Sequence, residues 1–189
     1  EANLSEADLS GANLTTTNLS KANLSKVKLS GANLKKANLS EANLSEADLS
    51  GANLTTTNLS KANLTKVNLI GASFLLVNFT QANLSRANLT KADLTSAKLN
   101  GAKFNESILL GANLTKVNFS GISLSKANLS ESTLLGANLS AADLSGTSLS
   151  KANLTDANMF RANLVGTNLT NAILLDANLE NADLSGANL

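Results

Sequence analysis

The chain has no cysteine, histidine, proline, tryptophan or tyrosine, and its 189 residues include a single methionine. Without cysteine there is no disulfide scaffold and no thiol nucleophile, and without cysteine or histidine there is no zinc or haem site of the usual donor set. The side chain most used for proton transfer near neutral pH is also missing. Fifteen Lys and Arg face fourteen Asp and Glu, a formal charge of +1. Such a balance gives no footprint for a phosphate backbone and disfavours a nucleic-acid partner. Every apolar stretch is interrupted within a few residues by Asn, Ser, Thr or Lys, which argues against membrane insertion and against a signal-peptide core.

What the sequence does contain is a period of five. From Leu4 to Leu189 every fifth residue is apolar: 33 of the 38 are Leu, four are Phe (Phe74, Phe79, Phe104, Phe119) and one is Met159. Two residues earlier stands Ala in 27 cases and Val, Ile, Thr or Ser in 11; between them is Asn in 24 cases and Asp in five. Ser or Thr follows the Leu in 26 of 37 cases. An α-helix cannot gather this pattern, because at about 100° per residue Ala and Leu two apart point to opposite sides. An extended segment places both on one face and Asn and Ser on the other. From Leu to the next Ala is an odd step of three, so a straight strand would turn the next pair outward. The chain must therefore turn a corner in every pentad, and a coil wound about an apolar column, an all-β solenoid, satisfies this.

The outward residues indicate how many sides the coil has. Sampled every twenty residues, the corner positions read Glu1, Lys21, Glu41, Lys61 and Glu6, Lys26, Glu46, Lys66, Arg86, Glu106, Lys126. Opposite charges then alternate up a stack with about 4.8 Å between coils. Gly11, Gly31, Gly51, Gly71 and Gly111 align in the same way. Sampling every fifteen gives Glu1, Thr16, Gly31, Glu46, Lys61, which has no such order. Residues 1–25 also match 41–65 at every position except Ser25 against Thr65, and forty residues make two four-sided coils. The expected architecture is one solenoid domain over 1–189, four pentads per 20-residue coil and about nine coils.

The motif Ala-(Asn/Asp)-Leu-x-x, met from Glu1 to Leu189, resembles the pentapeptide-repeat family. The resemblance implies a right-handed quadrilateral β-helix filled by the Leu/Phe position and the Ala two before it. It also implies that roles are mostly unassigned in the family, one subgroup of which inhibits bacterial DNA gyrase by mimicking DNA.

Little in the sequence suggests catalysis. Ser25 and Lys26 make a dyad on paper but read as solvated surface. Asp8, Asp48, Asp93, Asp143 and Asp183 replace Asn in register and read as variants of the repeat. The eighteen Asn-(Leu/Phe)-(Ser/Thr) triplets are a by-product of the repeat, and their density favours a bacterial or unglycosylated setting. No enzyme activity, catalytic residue, cofactor or metal is expected, and the default expectation is a soluble bacterial protein of the cytoplasm. Individuality is confined to outward apolar residues, which form the candidate partner surface: Ile70, Leu75, Leu76, Ile108, Leu110, Leu135, Phe160, Val165, Ile173 and Leu175. Leu75, Leu135 and Leu175 share one column, and Ile70 and Leu110 another.

The leading functional reading is a non-enzymatic structural or protein-interaction rod. A DNA-mimic inhibitor of a topoisomerase such as gyrase is disfavoured by the near-zero net charge. A binder of ice or a polymer through Ser/Thr columns is weakened by Lys35, Leu75, Asn100 and Phe160, which interrupt them. Glu1 already stands in register and Leu189 on a core position, with no polar capping segment on either side. The expectation is that the protein continues into caps or further domains, or that it stacks on other copies of itself through uncapped ends.

Overall fold

The structure is a computed structural model and describes residues 2–189. Each pentad folds alike: the Asn position bridges to a neighbouring coil, and the two residues after Leu form the corner. Every bridge is parallel and joins residue i to residue i+20, from Asn3↔Asn23 to Asn168↔Asn188. A step of twenty is four pentads, so the chain is the four-sided coil that the charge and glycine columns indicate. It is a right-handed quadrilateral β-helix, the hand favoured by parallel crossovers.

Coil 1 comprises residues 2–20, coil 2 residues 21–40, and so on to coil 9 at 161–180, with 181–189 beginning a further turn. The faces are numbered in chain order: face 1 carries Asn3, face 2 Asp8, face 3 Asn13 and face 4 Asn18, each with its copies every twenty residues.

The corner is a β-turn. The Ala7 amide donates to the Leu4 carbonyl at 3.2 Å, and Glu6 between them has φ 61°. A single left-handed residue at the third turn position is the type II pattern. Between turns the backbone bonds only to other coils: Leu4 N–H donates to Asn23 O at 2.8 Å, and Asn23 N–H to Ala2 O at 2.9 Å. The Asn side chain serves both local and stacking bonds. Asn43 Oδ1 accepts the Ser45 amide at 3.2 Å, and Asn63 Nδ2 donates to Asn43 Oδ1 at 3.0 Å. Asn is therefore favoured for physical reasons: its carbonyl fixes the corner and its amide joins the coils.

The interior is a continuous apolar column, with the Leu/Phe/Met position fully buried through the middle of the stack. Thr57, Thr147 and Thr167 replace inward Ala, and each hydroxyl donates at 2.8 Å to a Leu carbonyl of the preceding coil. Ser107 is buried at the same inward position, yet its Oγ finds no hydrogen-bond partner. Replacing it by Ala removes an unsatisfied hydroxyl and leaves a side chain that other coils hold at this position. Ser107→Ala should stabilise the fold by about 1 kcal/mol, read as a higher midpoint in guanidinium unfolding.

The charge columns form ion pairs, including Lys66 with Glu46 at 3.3 Å and Arg86 with Glu106 at 2.9 Å. All of them are exposed, so they order the surface more than they stabilise it.

Candidate functional site

The β-ladder is regular except in one seam. Of the corners from Glu6 to Gly186, only Ser96 lacks a positive φ. The bridges Ser73↔Asp93 and Lys98↔Asn118 are the two missing from an otherwise continuous series. Nine ladder amides between Gly71 and Ser123 make no bond to a carbonyl of the adjacent coil. One of these, Leu76 N–H, donates instead to Ser96 Oγ at 3.1 Å.

These breaks describe a step at Ser96. Before it, coil 5 leaves coil 4 on face 3 and keeps coil 6: Leu94 N–H still donates to Asn113 O at 3.0 Å. After it, on face 4, the chain keeps coil 4 and leaves coil 6. Here Lys98 N–H donates to Val77 O at 2.9 Å, while Leu99 N–H has no Asn118 partner. All four core phenylalanines lie in coils 4 to 6, in two contacting pairs. Phe74 and Phe79 have ring centroids 6.1 Å apart, and Phe104 meets Phe119 edge-on at 5.7 Å. Rings larger than Leu need more room along the stack, and the seam lies where that room is required.

Opening the ladder on face 3 leaves a cleft of about 260 Å³ lined by Ala72, Ser73, Phe74, Leu75, Asp93, Thr95 and Ser96. Its polar groups are already engaged. Asp93 Oδ1 accepts Thr95 N–H at 3.0 Å and Thr95 Oγ1 at 2.7 Å, and Oδ2 accepts Asn113 Nδ2 at 3.4 Å. The Thr95 amide, with the Thr95 hydroxyl, holds this carboxyl below the usual aspartate range. Such a group is a poor proton acceptor near neutral pH. The arrangement offers shape and apolar surface more than reactivity.

Asp8 and Asp183 are lowered in the same way, by the hydroxyl and amide of Ser10 and Ser185, and Glu106 by its hydrogen bond from Arg86. A carboxyl whose folded pKa lies below its unfolded value favours the fold above the unfolded value. That contribution is lost as pH falls through the folded pKa. Stability should hold from about pH 8 to 5, where no His titrates, and decline below about pH 4, as thermal melts across that range would show. Ser25 and Lys26 are not assembled as a dyad: the Lys26 ammonium lies 4.0 Å from Glu6 in a surface ion pair. Among the described residues no group of three or more Asp, Glu, His or Cys could hold a metal ion. No helix among them is long and apolar enough to cross a membrane.

Seven of the ten outward apolar residues border face 3. Ile70 and Leu110 stand at its corner with face 2, Leu75, Leu76, Leu135 and Leu175 at its corner with face 4, and Ile173 at its centre. Ile108 lies on face 2 beside Leu110, Val165 at the corner of faces 1 and 2, and Phe160 at the corner of faces 4 and 1. Leu75 and Leu76 are each 56% exposed and Leu175 62%, whereas Leu110, Leu135 and Phe160 are half-buried. Phe160 is flanked by the Arg161 guanidinium, 4.8 Å from its ring centre. Ser73, Asp93 and Ser96 in the cleft escape a sequence reading; the one faint signal is that Ser96 is the only serine at the second position of a corner.

Comparison with known proteins adds a lineage to this geometry. The family described as Pentapeptide repeats matches in eight copies, at residues 1–35, 37–75, 72–111, 92–131, 107–146, 122–161, 137–174 and 162–189. Among solved structures, this chain is similar to HetL of the cyanobacterium Nostoc sp. strain PCC 7120, a pentapeptide repeat protein involved in heterocyst differentiation regulation. The two are 40% identical over 98% of this chain and 82% of HetL, with a TM-score of 0.49. A pentapeptide repeat protein from the thylakoid lumen of Arabidopsis thaliana is 38% identical, over 47% of this chain and 62% of that one, with a TM-score of 0.46. QnrB1, a plasmid-mediated fluoroquinolone resistance protein, is 20% identical over 93% of this chain and 90% of its own, with a TM-score of 0.62. At that identity the likeness is one of fold alone. A search of the curated proteins returns no match.

Proposed function

This chain belongs to the pentapeptide-repeat family, and from that premise we propose that it is a non-catalytic rod that binds another protein along face 3. The observation that carries the reading is that seven of the ten outward apolar residues lie on face 3 or its two bordering corners, beside the open cleft. Scattered exposed hydrophobes are ordinary on any protein, but several on one face favour a contact surface. Away from face 3 and its two corners the outward apolar residues of this set are only Ile108, Phe160 and Val165.

The reading is tested by panning a random peptide library against the immobilised chain and mapping selected peptides by hydrogen exchange. They should protect residues 70–76 and lose binding to Leu75→Lys. Peptides spread evenly over the four faces would overturn it.

A DNA-mimic role has less support. DNA carries one negative charge per about 1.7 Å, whereas here acids alternate with bases up the corner columns, as in the Glu6–Lys26 and Glu46–Lys66 pairs. The purified chain should leave gyrase supercoiling unaffected at low micromolar concentration; potent inhibition in the standard supercoiling assay would reverse this assignment.

A further inference from the structure

We propose that face 3 docks on face 3 of a second copy of this chain, side by side and antiparallel, about a two-fold axis crossing the face between coils 5 and 6. This rests on the reading of face 3 as the contact surface, and it adds the partner and the register.

The corner of faces 3 and 4 carries opposite charges at its two ends. Lys35 and Lys36 stand in coil 2, and Asp156 and Asp176 in coils 8 and 9. Among the described residues, none of these four forms an ion pair within its own chain, unlike most charges in the other corner columns. Reversing one copy against another brings basic end to acidic end.

The two-fold axis fixes the register, since it sets each coil of the first five against the coil equally far beyond the axis in the other copy. Lys36 then meets Asp176, and Leu75 meets Leu135, on both sides of the axis. On the corner of faces 2 and 3, Lys151, Glu131 and Lys91 meet the recessed glycines Gly51, Gly71 and Gly111. Asp93, at the centre of the face, meets Asn113. No two like charges are set directly opposite each other on the face.

Neighbouring arrangements lack this property. Moving the axis onto coil 5 sets Lys91 against its own copy, and moving it onto coil 6 sets Lys116 against its own copy. A parallel pairing, with the axis along the rod, sets Asp93 against Asp93. Like charges directly opposed across a contact are unfavourable, so the antiparallel register between coils 5 and 6 is the one that the charges select. A self-complementary patch closed by a two-fold axis gives a dimer and no fibre. The face, roughly 35 Å by 12 Å at ~4.8 Å per coil, is small for a specific interface, and a dissociation constant in the micromolar range is expected.

Sedimentation velocity of the full chain from about 1 to 500 μM tests this. The wild type should pass from monomer to dimer across that range. Lys36→Asp and Asp176→Lys should each weaken dimerisation about tenfold or more, and the combined substitution should restore it, because the pair is re-formed with reversed sign. Both residues are exposed corners, so folding is preserved; a matching circular dichroism melt verifies this. A monomer at the highest concentration, a dimer indifferent to the single substitutions, or a failure of the combined substitution to restore it would overturn the proposal. A monomer that still binds selected peptides on face 3 would overturn the dimer and leave the interaction reading standing. Peptides mapped to other faces would instead count against that reading itself.

Discussion

Replacing Leu84 by Lys should unfold the rod or cost more than about 4 kcal/mol. Leu84 is fully buried on face 1 of coil 5, in a column whose members above and below, Leu64 and Phe104, are also fully buried. An ammonium placed there has no water and no carboxylate, and leaving such a charge unpaired is among the most destabilising single changes known. Gln81→Lys, three residues earlier, should be neutral within about 0.5 kcal/mol. Gln81 is an exposed corner at φ 59°, and lysine already holds the same column at Lys61 and Lys21 with φ 58° and 59°. Guanidinium unfolding of the two variants beside wild type measures the difference; equal midpoints would refute the assignment of inside and outside.

A larger effect is expected from removing one residue than from removing twenty. Deleting Ala42 shifts every later residue by one place, so that Leu44 takes an outward position while Asn43 and Ser45 would have to enter the core until a corner absorbs the slip. Because the side-chain alternation within a segment has period two, a one-residue slip reverses inside and outside. Deleting residues 41–60 removes coil 3 whole and sets Lys61 directly on Lys21, with every Leu still inside and every corner still in its column. Solenoid stability is carried by contacts between neighbours, so the shortened rod should melt cooperatively close to wild type while the single deletion loses its β signal. Circular dichroism melts compare them directly; a single deletion as stable as wild type would mean that the five-residue register is not what holds the coil together.

The architecture could be read from the chain because its causes are local and repeated. Leu in register gives the interior, the odd step from Leu to Ala requires a corner, and the charge and glycine columns count the sides. Asn63 donating to Asn43 and Lys66 pairing with Glu46 are contacts between residues that the twenty-residue spacing already sets side by side. The seam is different. It depends on how four phenylalanines on three faces share volume inside the column, and no spacing rule says which corner yields. Hence Ser96 reads in sequence as an ordinary corner and in the structure as a step. Exposure was also only partly readable. Leu110 and Leu135 point outward as their positions require, yet each has stacked neighbours one coil above and one below, so that outward and exposed are not the same. The cleft follows from the step and was invisible for the same reason.

Face 3, bordered by most of the outward apolar residues, is where coils 4 and 5 separate before the step passes to face 4, and amide hydrogen exchange resolved to single residues tests this coincidence most directly. The Phe74 and Asp93 amides donate to no carbonyl of an adjacent coil, while the Asn53 and Asn113 amides on the same face donate to Ala32 and Ala92 at 2.9 Å. Exchange at Phe74, Asp93, Ser96 and Leu99 should be at least about a hundredfold faster than at Asn53 and Asn113 and at Asn83 and Asn88 of faces 1 and 2, whose amides are bonded to coil 4, since unbonded amides exchange without any opening of the ladder. Uniform protection around coils 4 to 6 would contradict the step at Ser96 and the cleft built on it.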